Sequence, residues 1–125
     1  MKKLLVAFLC LSTLSLSAQT STDQILSDLD SKTSYYADIA QTIWAKPELG
    51  YQEENSSMLL QETLKKEGFT VKSGVADIPT AFVAEYGSGA PIIAILAEFD
   101  ALPGVSQKAI PEREAVIDGG AGHAC

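Results

Sequence analysis

The feature that most restricts the fold is a run of apolar residues, PIIAILA, at positions 91–97. A short run without polar alternation is typical of a strand covered on both faces in the middle of an α/β sheet. Such a strand requires neighbouring strands at its edges and further layers above and below it. With the helices and strands that precede it, the run therefore favours an α/β layered domain.

The remaining sequence predicts helices before strands. Apolar residues recur at helical spacing over residues 21–44, and Pro47 ends this helix because it disfavours helical geometry at the preceding residue. A second helix is predicted over residues 53–67, with Gly68 as its left-handed cap. Alternating residues predict two short strands, over residues 69–72 and 80–86.

The N-terminus has the layout of a secretory signal peptide. Lys2 and Lys3 precede an apolar stretch over residues 4–16, which small residues follow. We predict cleavage after Ala18, so that residues 1–18 form the leader and the mature chain is periplasmic or secreted. An uncleaved interfacial anchor is the alternative.

Loss of the leader changes the charge and the cysteine count. Its two lysines leave with it, so the formal net charge of −7 becomes −9. An acidic domain repels nucleic acid and anionic lipid, and neither nucleic acid nor, after cleavage, a membrane is expected as a partner. Cys10 is also lost, which leaves Cys125 without a disulfide partner. About 107 residues remain, enough for a single modest core.

Two segments carry residues that suggest chemistry. Glu98 and Asp100 follow the apolar run, at the strand edge where α/β sheets usually bind ligands, and alternation places both on one side. They are candidates for holding a cation or orienting a metal ligand, or they are ordinary acids of a solvated loop. Residues 119–125, GGAGHAC, bring His123 and Cys125 together after flexible glycines, and imidazole and thiolate are preferred zinc ligands. The alternative is a flexible loop with a buried thiol and a surface imidazole.

Other residues carry weaker indications. The aromatic residues Trp44, Tyr51 and the pair Tyr35 and Tyr36 are candidates for lining a pocket, although such residues more commonly belong to a core or a helix surface. Residues 108–114 are polar and contain a proline, which predicts a surface loop with no assigned function.

Three motifs together resemble the zinc-peptidase-like amidohydrolases, the group of aminoacylases, hippurate and auxin-conjugate hydrolases and carboxypeptidase G. Residues 44–54, WAKPELGYQEE, resemble the family's PELG-aromatic-x-E segment. Residues 97–104, AEFDALPG, are similar to its AxxDALPG segment. The continuation VSQ at 105–107 and the ending GHAC most resemble the aminobenzoyl-glutamate utilization protein B branch.

The resemblance implies a three-layer αβα metallopeptidase catalytic domain, of which residues 19–125 are the N-terminal portion. It also implies a site with two divalent ions, zinc or manganese. Cys125 matches the family's metal-binding cysteine, and Asp100 matches the acid that supports the catalytic site. Glu98 stands where other branches have a metal-binding histidine, so its role is left open, and His123 is a neighbour of the ligand cysteine.

The family's next metal ligand, its general base and its lid or dimerisation domain would lie beyond Cys125. We therefore predict that the parent protein hydrolyses amide bonds of small N-acyl or N-aroyl amino acids or peptides, as a homo-oligomer. The chain by itself is predicted to be inactive. The alternative is a short, exported module that binds a partner or a metal without catalysis.

Overall fold

The computed structural model describes residues 22–123. The chain divides into two compact units, Met1–Asp38 and Ile39–Cys125. The signal peptide predicted for residues 1–18 and the metal ligand predicted at Cys125 lie outside the described residues.

Helical structure begins the described chain, in two pieces instead of the single helix predicted over residues 21–44. Residues 22–31 form α1, and Thr33–Trp44 forms α2. The break falls at Lys32, whose amide donates to Leu29 O three residues back at 3.1 Å. The Thr33 hydroxyl also donates to Leu29 O, at 3.5 Å, and such side-chain bonds compete with regular helical pairing.

The third helix, α3, spans Glu54–Lys66 and agrees with the sequence prediction. Gly68 follows it with a φ of 90°, the left-handed conformation that glycine adopts without steric penalty. The amide of Gly68 donates to Lys65 O at 3.1 Å and that of Phe69 to Leu64 O at 3.0 Å. These two bonds form a Schellman motif and end the helix as predicted.

Two short strands follow α3. Strand β1, Thr70–Ser73, pairs antiparallel with β2, Phe82–Glu85, and a 3₁₀ turn at Val75–Asp77 lies in the connection. Helix α3 packs against both strands. Ser57 on the buried face of α3 donates its hydroxyl to Thr80 O at 2.6 Å, so this small polar side chain is satisfied where the helix meets the hairpin.

The prediction of a covered central strand over residues 91–97 is wrong for the described structure. No strand is formed there, and Ile92, Ile93, Ile95 and Leu96 are 85–91% exposed. A strand forms only when a neighbour accepts and donates its backbone hydrogen bonds, and within residues 22–123 the only paired strands, β1 and β2, pair with each other. The architecture is therefore α/β, with helices and a two-stranded antiparallel sheet.

Few apolar side chains in the described part of the chain are deeply buried. Ala101, at 1% exposure, is the only fully buried hydrophobic residue among residues 22–123. The apolar stripe of α1 is also exposed, with Ile25, Leu26 and Leu29 each more than half accessible. None of the described helices is long and apolar enough to span a bilayer.

Candidate functional site

The three motifs identified in the sequence lie side by side in the structure. Leu49 and Ala101 form a parallel β-bridge, and the Ala101 amide donates to Glu48 O at 2.7 Å. Leu102 and Gly122 form an antiparallel bridge with N–O distances of 2.9 and 3.0 Å. Backbone pairing at Ala101 and Leu102 therefore joins the segments around positions 49, 101 and 122, and buried Ala101 lies at their junction.

The carboxylate of Glu48, in the first motif, holds the start of α3. Its Oε1 accepts from the amide and side-chain nitrogens of Asn55 at 2.9 and 2.7 Å. Its Oε2 accepts from the amide and hydroxyl of Ser56 at 2.8 and 2.7 Å. The N-cap residue Glu53 makes no side-chain capping bond, so Glu48 satisfies amides that a cap would otherwise serve.

These contacts determine the protonation of Glu48. Desolvation by burial raises its pKa, but hydrogen bonds from the backbone and side chains of Asn55 and Ser56 outweigh that effect and lower the pKa from 4.5 to about 2. All four bonds require the carboxylate as acceptor. Glu48 is therefore ionised at neutral pH and links the first motif to the helix electrostatically.

Two further carboxylates flank Gly50. Glu53 is 8% exposed, and its Oε2 accepts a 2.7 Å hydrogen bond from the Thr80 hydroxyl. The point where a Cβ on Gly50 would stand lies 3.9 Å from Glu53 Oε1 and 3.9 Å from Asp100 Oδ2. Glu53 of the first motif and Asp100 of the second motif therefore both lie next to Gly50.

The third motif is packed too tightly for any residue but glycine at position 122. A Cβ on Gly122 would overlap the carbonyl oxygen of Val105 and stand 2.6 Å from Ser106 Cα. The Ser106 amide also donates to Gly120 O at 2.9 Å. The glycines of GGAGHAC thus permit close backbone approach, as the sequence predicts.

The predicted site residues differ in their surroundings. Asp100 is half-buried beside Gly50, whereas Glu98 is exposed, and the alternation that placed both on one side lacks the strand on which it depended. His123 is half-buried, and its Nε2 is buried without a hydrogen-bond partner among the described residues. Residues 22–123 contain no group of three or more His, Cys, Asp or Glu side chains placed to hold a metal ion.

A long loop, residues 105–118, connects the second motif to the glycine-rich segment that begins at Gly119, and hydrogen bonds within the loop hold it together. The Gln107 side chain donates to the carbonyl oxygens of Lys108 and Glu112 at 2.9 and 2.7 Å and accepts from the Glu114 amide at 3.1 Å. The indole nitrogen of Trp44 donates to Gln107 O at 3.1 Å. Gln107 therefore links both sides of the loop through its side chain and connects the loop to the end of α2 through its carbonyl oxygen.

A cavity of about 1060 Å³ opens between this loop and α2. We call it the Trp44 groove; Gln41, Trp44, Gln107, Arg113 and His123 are among its lining residues. Of the aromatic residues considered from the sequence, Trp44 lines this cavity, with its ring centroid 6.4 Å from that of His123. Tyr51 is 74% exposed, and Tyr35 and Tyr36 contact each other on the surface of α2.

Comparison with curated proteins finds several similar sequences. The chain is 45% identical over 91 residues to one of the subunits of p-aminobenzoyl-glutamate hydrolase from Escherichia coli, covering 72% of this chain and 19% of that protein. It is 36% identical over 83 residues to thermostable carboxypeptidase 1 of Saccharolobus solfataricus, covering 65% and 21%. It is 41% identical over 66 residues to IAA-amino acid hydrolase ILR1-like 5 of Arabidopsis thaliana, covering 52% and 15%.

The chain belongs to an amidohydrolase and peptidase family. This confirms the resemblance derived from the three motifs. The chain spans only 15–21% of the length of these curated relatives. No protein-family model matches it.

Two acids of the first motif, Glu48 and Glu53, receive no role from sequence reasoning. The signal that could have found them is the PELG-aromatic-x-E pattern itself, which places Glu53 at the predicted helix start and Glu48 five residues before it, near the helix end where anions are stabilised. Gln107 likewise receives no role from the sequence. Its three side-chain bonds depend on how the loop folds back, and no local sequence pattern indicates them.

Proposed function

We propose that this chain is the N-terminal part of a metal-dependent amidohydrolase that releases an amino acid from N-acyl or N-aroyl amino acids or small peptides. The observation that carries the proposal is the backbone pairing of the three family motifs around Ala101. The names of the relatives support the same reaction class, cleavage of amide-linked amino acids. The first of these names suggests p-aminobenzoyl-glutamate as a substrate to test.

The extent of the domain is part of the proposal. We infer that residues 19–125 contribute to a larger αβα catalytic domain. The four strongly exposed apolar residues between positions 92 and 96 support it, because such a run requires covering by further polypeptide. The share of the relatives' length that the chain spans, about a fifth, is consistent with this.

Within the proposed enzyme, Cys125 is a metal ligand and Asp100 the acid that supports the site, with two zinc or manganese ions as cofactors. The described residues do not by themselves fit such a centre, because residues 22–123 hold no cluster of three potential ligands.

Export and oligomeric state are also part of the proposal. Cleavage after Ala18 would deliver the mature protein to the periplasm or the exterior. The parent is proposed to act as a homo-oligomer, and one relative is named as part of a multi-subunit hydrolase.

The test uses the parent enzyme, purified from its native source, of which these residues are proposed to be the N-terminal part. Release of free glutamate from p-aminobenzoyl-glutamate is measured before and after chelation, and after zinc or manganese is returned. Cys125→Ser is expected to abolish activity, and Asp100→Asn to reduce it by about 10- to 100-fold, as for groups that support metal ligands. Asp77→Asn, in the β1–β2 connection, is the control. Activity that survives exhaustive chelation contradicts the proposal.

A second candidate is a non-catalytic exported module that binds a partner or a metal. It is favoured by one observation, a large groove in a part of the chain that holds no metal cluster among its described residues. Residues 19–125 are examined by circular dichroism and size-exclusion chromatography. A cooperative, soluble monomer supports the module, whereas aggregation supports the catalytic-domain fragment. Thiol titration of Cys125 with and without zinc tests metal binding, and an unprotected thiol at micromolar zinc excludes it.

A further inference from the structure

The Trp44 groove has a wall that its own hydrogen bonds hold in place. Ser106 accepts from the Ile117 amide at 3.0 Å, and the Lys108 amide donates to Glu114 O at 2.8 Å. With the side-chain bonds of Gln107, these contacts tie both ends of the loop together. The groove is therefore an open cleft with a hydrogen-bonded wall, and its volume of about 1060 Å³ is ample for a small organic ligand.

The two cations that line the groove differ in their partners. The Lys108 ammonium forms an ion pair with Glu114 and is thereby neutralised. Arg113 also lines the groove, and among residues 22–123 its guanidinium has no ion-pair or hydrogen-bond partner. An unpaired guanidinium presents a planar set of donors that matches a carboxylate in two-point geometry.

The acids of the groove restrict where an anion can bind. Glu112 and Asp118 also line it, and both repel a ligand carboxylate. Since Lys108 is already paired, Arg113 is the position in the described lining that attracts such a group. An anionic ligand is thus directed to one place in the groove.

Trp44 provides a different kind of contact. Its indole N–H is already bonded to Gln107 O, so the half-buried ring offers apolar surface to the groove. Aromatic rings gain from offset or edge-to-face packing beyond the area that they bury. A ligand with an aromatic group and a separate carboxylate would use Trp44 and Arg113 together.

We propose that the Trp44 groove binds the substrate, an N-aroyl acidic amino acid, with the aroyl group against Trp44 and the side-chain carboxylate on Arg113. The choice of an amide ligand rests on the proposed function. The groove, its lining residues and the unpaired Arg113 guanidinium are observed independently of the proposed function. Arg113 would then determine specificity for acidic over neutral leaving amino acids.

The experiment measures binding without catalysis. Trp44 is the only tryptophan in the chain, so intrinsic fluorescence reports on the groove directly. The full chain is titrated in EDTA with N-benzoylglutamate and with N-benzoylglutamine, which has the same shape but a neutral side chain. N-Benzoylglutamate is expected to bind about three- to fivefold more tightly, the size of effect typical for an exposed ion pair.

Substitutions assign this preference to Arg113. Arg113→Gln is expected to remove the preference, and Arg113→Lys to retain part of it. Lys72→Gln, which removes the same charge from β1 outside the groove, is the matched control and should retain all of it. Circular dichroism spectra of the variants establish that each is folded as the parent chain is.

Two results overturn the inference: no saturable fluorescence change up to millimolar ligand, or equal weakening of both ligands by Arg113→Gln. Because the titration needs neither metal nor hydrolysis, its failure is distinct from failure of the proposed function. Glutamate release without selective binding at Arg113 removes the groove proposal alone. Selective binding with no hydrolysis by the native-source protein removes the catalytic proposal alone.

Discussion

Glu48 Oε2 accepts hydrogen bonds from both the amide and the hydroxyl of Ser56, at 2.8 and 2.7 Å. These bonds, with those from Asn55, couple the first family motif to α3 through a single ionised side chain. Since the Ala101 amide bonds to the carbonyl oxygen of the same residue, Glu48 connects the helix to the junction of the three motifs. The stability of that junction is therefore expected to depend on pH.

Glu48→Gln is predicted to lower the free energy of unfolding at pH 7 by about 1–2 kcal/mol, the range for bonds to a partly exposed charged group. The pKa of Glu48 is about 2 in the folded chain and 4.5 ordinarily, so its stabilisation is complete above pH 4.5. It is lost as the pH falls toward 2. Urea unfolding of both proteins at several pH values should show the difference shrinking below pH 4.5.

Glu54→Gln is the control for this prediction. Glu54 lies in the first turn of the same helix but is exposed. Its replacement removes the same charge near the helix start without removing the bonds to Asn55 and Ser56. If Glu54→Gln lowered the free energy of unfolding as much as Glu48→Gln, the cause would be the removal of a negative charge near the helix start and not the loss of specific hydrogen bonds.

Thr80→Val is predicted to destabilise the chain by about 1–3 kcal/mol, because buried Glu53 loses its hydroxyl donor while the shape of the side chain is kept. Thr80→Ser retains the hydroxyl and should lose less. The two variants are compared by denaturant unfolding monitored by circular dichroism. A smaller loss for Thr80→Val than for Thr80→Ser would show that the methyl group of Thr80, and not its hydroxyl, stabilises this contact.

Gly122→Ala is predicted to cost about 1–3 kcal/mol, since the added Cβ would overlap the backbone of Val105 and Ser106. Gly50→Ala is the matched control, because its added Cβ would meet only carboxylate oxygens at ordinary contact distance, 3.9 Å. Thermal unfolding of both variants checks this. Similar melting temperatures for the two would contradict the close approach at Gly122.

The exposed apolar residues 92–96 are predicted to cause association at micromolar concentration, because an exposed apolar segment that is not paired with a strand can pair with other chains. Ile93→Lys should reduce the apparent mass in light scattering. Val83→Lys places the same charge at an exposed position of β2, which is already paired, and should have little effect. A chain that stays monomeric without substitution would contradict the prediction.

Local patterns were sufficient for several elements. The position of α3 and its glycine cap followed from helical spacing and from the left-handed preference of Gly68, which are properties of a few neighbouring residues. The two strands also appeared where alternation predicted them, although β1 begins one residue later and β2 is shorter. The single helix predicted over residues 21–44 is interrupted at Lys32, because hydrogen bonding there departs from regular helical pairing.

Residues 91–97 show where local patterns fail. Their composition correctly marks them as apolar, but a covered strand is a property of the segments beside it, and residues 22–123 supply none. Likewise, the prediction that Glu98 and Asp100 lie on one side required a strand, and no strand forms at these residues. The sequence alone was sufficient to assign the family, because the three motifs and their order are recognised without any coordinates. Only the tertiary structure decided that Glu48 accepts hydrogen bonds at the start of α3, that Gln107 bonds across the loop and that Arg113 lines the groove with no ion-pair partner among residues 22–123. The reason is that hydrogen bonds and ion pairs between distant residues depend on the tertiary fold.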